Sequence, residues 1–212
     1  MKRQQSLEER TQIKLLRSMR QWKEKRGTMR HYDQQATIYD VQYLGEQNAK
    51  IEDALSRIEL KPNEIVLDSG CGTGFLFQHI SKSIGLLIGI DISLNVLKEA
   101  KKRTKNLSNI VLIRADADNT PFPDRTFDRL FAITLLQNMP TTLKTIQEMK
   151  RIGKPQSIFV MTGLKKKFTQ ESFINLLKMA QLKVSTLVTD QRLNGYISVC
   201  TKTEFRRLST VT

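Results

Sequence analysis

The sequence predicts an α/β fold built on a doubly wound, mostly parallel sheet. From residue 64 onward, apolar runs of four to six residues alternate with segments of helical pattern. The runs are continuously apolar, which is typical of strands buried on both faces of a parallel sheet. The last two runs are joined by the short link Gln191–Gly195, which favours an antiparallel hairpin at the sheet edge. Together these observations predict a Rossmann-like sheet of seven strands, the last antiparallel, preceded by N-terminal helices.

Each element follows from its local pattern. The seven strands are expected where the apolar runs fall, at Glu64–Leu67, Leu86–Ile90, Ile110–Ile113, Arg129–Thr134, Ser157–Met161, Lys183–Val188 and Tyr196–Cys200. The helices between them are expected at Gly74–Ser83, Ser93–Thr104, Thr141–Arg151 and Thr169–Ala180. No internal repeat or low-complexity segment interrupts this order, which indicates one domain.

Two further helices are predicted before the first strand. Residues 5–30 contain no proline, and Leu15, Met19 and Trp22 recur at i, i+4 and i+7 among many basic residues. A second helical stretch runs from about Gln34 to Ile58. A basic amphipathic helix such as the first one can bind RNA, bind a partner protein or pack on the domain as a cap. The sequence alone leaves these three roles open.

The composition excludes several classes of protein. The 212 residues are 39% hydrophobic and 26% charged, which fits one globular domain with an appendage. Cys71 and Cys200 match no metal-ligand spacing, so we expect neither a disulfide framework nor a metal site. The longest stretch without a charge, Leu130–Leu143, spans 14 residues and contains polar side chains, which predicts no membrane span. No apolar signal core follows the basic N-terminus, which predicts a cytoplasmic protein.

The net charge of +14 is unevenly distributed. Residues 1–30 carry +7 and residues 141–212 carry +9, whereas residues 31–140 carry −2. Such a field attracts polyanions, so RNA is an expected partner through the N-terminal helix and the C-terminal third. The alternative is that the charge only keeps the protein in solution.

A glycine-rich loop follows the first predicted strand. Residues 65–74 read Ile-Val-Leu-Asp-Ser-Gly-Cys-Gly-Thr-Gly, a buried strand, a loop and a helix start. Glycines let the backbone approach a ligand closely, and a helix N-terminus offers N–H groups to an anion. Asp68 would repel the pyrophosphate of a dinucleotide, but it suits the sulfonium and ammonium groups of S-adenosylmethionine. The loop also lacks the lysine of a phosphate-binding P-loop.

Three further segments follow in the order that such a site requires. Asp91 lies 21 residues after Gly70, where a carboxylate can accept hydrogen bonds from both ribose hydroxyls. Asp116 follows the third strand, where it can accept a hydrogen bond from the adenine amino group. Residues 123–128, Pro-Asp-Arg-Thr-Phe-Asp, then lead into the fourth strand. The order and spacing of these segments together predict a site for S-adenosylmethionine.

The sequence resembles the class I S-adenosylmethionine-dependent methyltransferases, in the type 11-like branch. The resemblance rests on the loop Leu-Asp-x-Gly-Cys-Gly-Thr-Gly and on the segment Pro-Phe-Pro-Asp-x-x-Phe-Asp, and it covers about residues 30–200. It implies methyl transfer with S-adenosylmethionine as cofactor. With the helical pattern above, it divides the chain into a basic helix, 1–30, and a methyltransferase domain, 31–212, whose residues 31–60 form a helical lid.

The resemblance also implies which residues bind the cofactor, motif by motif. Those expected around the methionine part are Tyr32, Asp68, Gly70, Cys71, Gly72, Gly74, Thr134 and Gln137. Those expected around the ribose and adenine are Asp91, Ile92, Asp116 and Ala117. Tyr32 belongs to residues 32–40, which are similar to the Tyr-Asp-x-x-Ala-x-x-Tyr-Asp lid segment of that branch.

The family has no universal catalytic residue, because a sulfonium is already a good leaving group. The weak candidates for contact with an acceptor are His31, Tyr32, Tyr39 and Asn138. Relatives of this branch often carry a histidine where Asn138 stands, and an asparagine cannot act as a base. His79 is expected to face away from the site.

The methyl acceptor is left open by the sequence. Neither cysteine follows a proline, as the nucleophile of a cytosine C5 methyltransferase would, and residues 136–140 lack the double proline of nucleobase-amine enzymes. The basic ends, together with Lys165–Lys167, favour tRNA or rRNA as the acceptor. A quinone, lipid or other small metabolite is the main alternative. A protein acceptor and a non-catalytic module that only binds the cofactor are the remaining readings.

Overall fold

The computed structural model describes residues 2–35 and 39–203, with the side chains of 11–16, 18–34 and 43–203. Within these residues the seven strands are β1 (Ile65–Ser69), β2 (Leu86–Asp91), β3 (Ile110–Arg114), β4 (Phe127–Ala132), β5 (Gly153–Leu164), β6 (Leu182–Val188) and β7 (Gly195–Lys202). The helices are α1 (Lys2–Gln35), α2 (Tyr39–Leu55), α3 (Phe75–Ile80), α4 (Leu94–Arg103), α5 (Thr142–Ile152) and α6 (Gln170–Met179). Single 3₁₀ turns lie at Ser81–Ser83 and Leu136–Asn138.

The strands form one sheet in the order β3-β2-β1-β4-β5-β7-β6. The last strand, β7, pairs antiparallel with both β5 and β6, and the other neighbouring pairs are parallel. The predicted Rossmann-like sheet with an antiparallel last strand is therefore confirmed. The chain reverses its strand order beside β1, and ligands of open α/β sheets bind at such a point, beyond the carboxyl ends of the strands.

Two apolar layers hold the sheet rigid. Val66 and Leu67 of β1 alternate onto opposite faces and are fully buried. Phe77 of α3 belongs to the layer that contains Val66, while Ile146 of α5 and Phe173 of α6 belong to the layer that contains Leu67. Burial of each such side chain contributes roughly 1.5–3 kcal/mol. The strand ends that carry polar residues are therefore fixed in position by packing.

The first helix is longer than expected. It continues to Gln35 without interruption, so the predicted division at residue 30 falls inside a helix. Residues 28–35 contain neither glycine nor proline, and Gly27, which costs only about 1 kcal/mol within a helix, does not end it. The second helix, expected from Gln34 to Ile58, begins at Tyr39 and ends at Leu55. A 34-residue helix is about 50 Å long.

Most strand boundaries differ from the sequence-based expectation by one to four residues, and the fourth and fifth strands show the reasons. The fourth strand ends at Ala132 and not at Thr134, because Thr134 has a φ of 62°, outside the range of extended backbone. The fifth strand begins at Gly153, four residues before the expected start. Gly153 pairs with Phe127, and a shift in register between Phe127 and Arg129 accommodates the added residues.

Helix α1 crosses the carboxyl edge of the sheet and is attached there by polar contacts. Gln21 Nε2 donates to Thr141 Oγ1 at 2.8 Å, just before α5. The carboxylate of Asp33 accepts hydrogen bonds from the Ser93 hydroxyl and, at 3.4 Å, from the Asn95 backbone N–H at the start of α4. The second half of α1 therefore lies over the edge where a ligand would bind.

Candidate active site

A cavity of about 120 Å³, partly open to solvent, lies at the carboxyl ends of the strands. Clefts in this position of an open α/β sheet are typical small-molecule sites. Its floor consists of strand ends and the loops after them, Asp68, Gly70, Cys71, Gly72, Thr73, Ile90, Asp91, Ile92, Ala115, Asp116, Ala117, Ile133, Thr134, Leu135, Asn138 and Met139. Its roof consists of five residues from the two N-terminal helices, Lys25, Thr28, Tyr32, Gln47 and Ile51.

The glycine loop of the floor depends on backbone angles that only glycine adopts easily. Gly70, Gly72 and Gly74 have φ values of 69°, 55° and 85°. A Cβ on Gly74 would lie 2.4 Å from the ring of Phe77, so this glycine allows the chain to turn into α3. Gly70 and Gly72 line the cavity, whereas Gly74 does not, which makes its role structural rather than one of direct contact.

Asp91 connects the loop to the end of β2. Its Oδ2 accepts a hydrogen bond from the Gly72 N–H at 3.1 Å, and its Oδ1 accepts one from the Ser93 N–H at 2.9 Å. Burial raises the pKa of this carboxyl, and the three backbone hydrogen bonds from Ser93, Gly72 and Ile92 act in the opposite direction. A carboxylate fixed in this way can accept further hydrogen bonds from a pair of hydroxyls in the cavity.

Asp68 is the other carboxylate of the floor. Its side chain is buried, and burial, with Asp91 nearby as a second cause, raises its pKa to about 7. Among the described residues, no lysine, arginine or histidine lies within ion-pair distance of Asp68. Burying a carboxylate without a partner is costly. A ligand with a positive charge would remove that cost, and the ammonium and sulfonium groups of S-adenosylmethionine fit this requirement.

The adenine end of the predicted site contains an ion-pair cluster. Lys25 Nζ lies 2.7 Å from both carboxylate oxygens of Asp116 and 2.6 Å from Asp118 Oδ2. The side chain of Lys25 is 8% exposed and that of Asp118 is 1% exposed. Asp116 lines the cavity as expected, with Ile92 and Ala117 beside it, but its carboxylate already binds the roof. Recognition of an adenine amino group would use the remaining lone pairs of the Asp116 carboxylate.

The opposite end of the cavity holds polar residues that follow β4. Thr134, whose φ is positive, donates two hydrogen bonds. Its N–H donates to Thr162 Oγ1 at 2.7 Å, and its hydroxyl donates to Gln47 Oε1 at 2.9 Å. Non-glycine residues with positive φ cluster at functional sites. Asn138 Nδ2 donates to the Tyr32 hydroxyl at 2.9 Å, so floor and roof meet there as well.

Gln137, His31 and His79 are not among the residues that line the cavity. Gln137 does not line it: its Nε2 donates to the Thr134 carbonyl at 2.7 Å, and its buried Oε1 has no partner among the described residues. His31 is exposed and packs edge-on against Tyr32, and His79 faces Asn48 of α2 at 3.2 Å. Tyr39 begins α2, and its side chain lies outside the described residues.

The two cysteines are buried thiols. Burial raises the pKa of Cys71, which lines the cavity, and raises that of Cys200 in β7 to about 12. A protonated thiol is a poor nucleophile, so neither group is prepared for covalent chemistry. In the described part of the chain, no three potential ligands come together to hold a metal ion. No helix there is long and apolar enough to cross a bilayer.

Four of the five roof residues were not predicted from the sequence, and Tyr32 is the exception. Lys25 and Thr28 lie in the segment assigned to the basic helix, and Gln47 and Ile51 lie in the predicted lid without being singled out. No local pattern indicates that Lys25 pairs with a carboxylate 91 positions away.

Comparison with known proteins agrees with this geometry. The family model described as "Methyltransferase domain" matches residues 60–208, so the chain belongs to that family. An uncharacterized protein of Methanocaldococcus jannaschii is 31% identical over 140 residues, which are 66% of this chain and 53% of that protein. The demethylmenaquinone methyltransferase of Staphylococcus saprophyticus is 36% identical over 109 residues, 50% of this chain and 47% of that protein. The chain therefore spans about half the length of these relatives.

Solved structures show the same fold. A SAM-dependent methyltransferase from Aquifex aeolicus superposes with a TM-score of 0.65 at 22% identity, covering 71% of this chain and 88% of that one. The [4+2]-cyclase SpnF superposes with a TM-score of 0.64 at 18% identity, covering 72% of this chain and 80% of that one. Because a cyclase shares the fold, the fold alone does not define the reaction.

Family and site together define the cofactor, which is S-adenosylmethionine. The floor offers two carboxylates to its positive and hydroxyl groups, and the positive-φ glycines leave the loop free of side chains that would fill the space. The buried carboxylate of Asp68, without a cation of its own among the described residues, is the feature that fits this cofactor most directly.

Proposed function

We propose that the protein transfers the methyl group of S-adenosylmethionine to a small, largely apolar acceptor. The observation that carries this proposal is the roof. Helices α1 and α2 cover the cavity, and the surfaces that remain for an acceptor are formed by apolar residues such as Ile51, Ile133, Leu135 and Met139. A covered apolar cavity suits a small molecule, and it offers few groups that could recognise the edge of a nucleobase.

The polar groups near the acceptor would orient it rather than remove its proton. Burial raises the pKa of Tyr32, so its hydroxyl stays protonated at neutral pH and takes part in hydrogen bonds with its proton in place. Asn138, which donates to that hydroxyl, is not a base either. This arrangement supports an acceptor that is held by one polar group at the Tyr32–Asn138 contact and by apolar contacts elsewhere.

Methyl transfer requires that the acceptor be aligned with the methyl group and that water be excluded. When bound, S-adenosylmethionine supplies an electrophilic methyl group on a sulfonium. Asp68 and Asp91 would fix the cofactor at the floor, and the Thr134–Gln47 and Asn138–Tyr32 contacts hold the roof closed above it. Correct orientation of two reactants can lower a barrier by roughly 7–11 kcal/mol, which is the contribution that this closed site is built to make.

The relatives provide separate support. Several proteins that match about half of this chain are named demethylmenaquinone methyltransferases, with 36% identity in the Staphylococcus carnosus protein. RNA, which the basic ends favour, is supported by charge alone: +7 over residues 1–30 and +9 over residues 141–212. We therefore place the small apolar acceptor first and keep RNA as the second candidate.

The test is transfer of tritiated methyl from S-adenosylmethionine to a lysate of the source cell, followed by separation into organic-extractable, protein and RNA fractions. We expect the label in the organic-extractable fraction, and no label with the Asp68→Asn variant. Label confined to RNA would overturn the small-molecule proposal and make the basic ends part of substrate recognition. The Lys101→Gln variant, altered at an exposed residue of α4 outside the cavity, serves as the control and should label the same fraction as the wild type.

A further inference from the structure

Residues 11–20 of α1 present their described side chains to solvent. Those of residues 11–16 and 18–20 are all exposed, whereas Gln21, Lys25 and Asp33 of the same helix form polar contacts with the domain. Residues 11–20 of α1 together with Trp22 are called the arm here. The C-terminal part of the same helix lies over the active site.

The arm carries large apolar side chains in water. Ile13, Leu15, Leu16, Met19 and Trp22 are 48–61% exposed. Leu15, Met19 and Trp22 follow one another at i, i+4 and i+7, so they form one stripe on the helix surface. Single exposed apolar residues scattered over a surface are common in proteins. A group of them on one face, as here, indicates an interaction surface.

The arm is also strongly cationic. Between residues 10 and 30 the chain has eight lysines and arginines and a single acidic residue, Glu24. Arg20 Nε lies 3.2 Å from Oε1 of that glutamate. Lys14 and Lys23 are exposed beside the apolar stripe. Whatever binds this surface must be anionic and must also accept apolar side chains.

We propose that the arm docks on an anionic lipid surface. A bilayer with acidic headgroups meets both requirements, because apolar side chains enter the region below the headgroups while lysine and arginine reach back to the phosphates. Tryptophan is favoured at this depth. RNA would satisfy the cations and could stack on Trp22, but it gives no reason for exposed Ile13, Leu15, Leu16 and Met19.

The location of the arm connects this surface to the cavity. The same helix carries Lys25, Thr28 and Tyr32 over the site, so an arm lying on a bilayer would hold the roof beside it. If the acceptor is apolar, as proposed above, it would be dissolved in that bilayer. Only this last step depends on the proposed function, and the docking itself does not.

The chain contains its own probe for the docking. Trp22 is the only tryptophan in the sequence, so the intrinsic fluorescence of the full chain reports on the arm. We expect a blue shift and co-sedimentation with vesicles of phosphatidylglycerol and phosphatidylcholine, at least tenfold weaker binding to pure phosphatidylcholine, and weaker binding in high salt. Equal binding to both kinds of vesicle, or no blue shift with either, would overturn the proposal.

A pair of variants separates the arm from general effects. Leu15→Glu with Met19→Glu should weaken vesicle binding at least tenfold while leaving the affinity for S-adenosylmethionine unchanged. Met179→Glu adds a carboxylate at another exposed apolar residue, 65% exposed on α6, and should leave vesicle binding close to that of the wild type. If the Met179→Glu variant loses as much binding, the arm is not the docking surface.

Two other occupants would be recognised in the same experiments. RNA that shifts the Trp22 fluorescence while vesicles do not would show that the arm binds nucleic acid. Self-association in sedimentation, abolished by the Leu15→Glu and Met19→Glu changes and unaffected by vesicles, would show that the stripe binds a second copy of this chain. Either result would contradict docking on lipid without affecting the proposed methyl transfer.

Discussion

The floor and the roof of the cavity are built by different means. The floor is made of strand ends fixed by two apolar layers, and backbone N–H groups donate to its strand-end carboxylate, as Gly72 does to Asp91. The roof is attached by a few side-chain contacts across long stretches of sequence, such as Lys25 to Asp116 and Tyr32 to Asn138. We therefore expect the floor to stay folded when the contacts of the roof are broken.

The largest effect is expected from a change in the frame of the floor. Gly74→Ala would place a Cβ 2.4 Å from the Phe77 ring at a φ of 85°, so strain and overpacking should lower the free energy of unfolding by about 3 kcal/mol. The matched control is Gly72→Ala, whose Cβ would meet open space and should cost only about 1–2 kcal/mol. Urea unfolding measures both, and equal losses would show that the loop is not tightly packed.

The second largest effect is expected on the affinity of the floor for the cofactor. Asp91→Ala removes the acceptor of two backbone N–H groups and the proposed ribose contact, so affinity for S-adenosylmethionine should fall by about 100-fold. Titration calorimetry measures the change. Asp124→Ala, which removes a surface carboxylate paired with Arg151, should leave the affinity unchanged. An Asp91→Ala protein that binds the cofactor normally would remove Asp91 from the site.

A change in the roof should have a smaller and more local effect. Lys25→Met leaves the carboxylates of Asp116 and Asp118 without their cation, so the second half of α1 should detach while the sheet stays folded. We expect faster amide hydrogen exchange in residues 21–35 and about tenfold weaker cofactor binding. Lys154→Met, which breaks a pair with Asp128 away from the cavity, is the control. Uniformly faster exchange across the strands would contradict the division into floor and roof.

The smallest effect is expected at the contact between floor and roof. Tyr32→Phe removes one hydroxyl that Asn138 donates to, a net loss of about 1 kcal/mol or less. Methyl transfer into the organic-extractable fraction should slow about threefold to fivefold, with little change in cofactor affinity. Tyr196→Phe, in β7, tests for a general effect of losing a tyrosine hydroxyl. A much larger loss of rate would mean that the Tyr32 hydroxyl takes part in the reaction directly.

The same contrast explains what could be predicted from the sequence. Asp68, Gly70 and Asp91 belong to short motifs, and a strand followed by a tight turn places such residues in the same way in any doubly wound sheet. Lys25 and Gln47 reach the site only through helix docking, which no local pattern specifies. Gln137 was assigned by its place after β4, but the turn at Leu136–Asn138 points its amide to the Thr134 carbonyl instead.

The exposure of the apolar stripe on α1 could not be predicted from the sequence either. The pattern of Leu15, Met19 and Trp22 predicts a helix, and packing on the domain was one of three roles that the sequence left open for it. In the structure these three side chains are exposed, because the face that docks contains Gln21, Lys25 and Tyr32 instead. Periodicity identifies an apolar face of a helix, and it does not identify what covers that face.

The most direct test of the account is the number of protons released when S-adenosylmethionine binds. The pKa of Asp68 is raised to about 7 in the free protein, so this carboxyl is mostly protonated at pH 6 and must ionise to pair with a cation. Binding should therefore strengthen as pH rises from 5.5 to 7, a range in which the cofactor's amino group keeps its proton.

Calorimetry at pH 6 in buffers of different ionisation enthalpy gives the proton count. We predict release of nearly one proton per cofactor in the wild type at pH 6, about half a proton at pH 7, and none from this group in the Asp68→Asn variant. Binding that releases no proton at pH 6, with the same affinity at pH 5.5 and 7, would contradict the assignment of Asp68 as the group that recognises the positive charge of the cofactor.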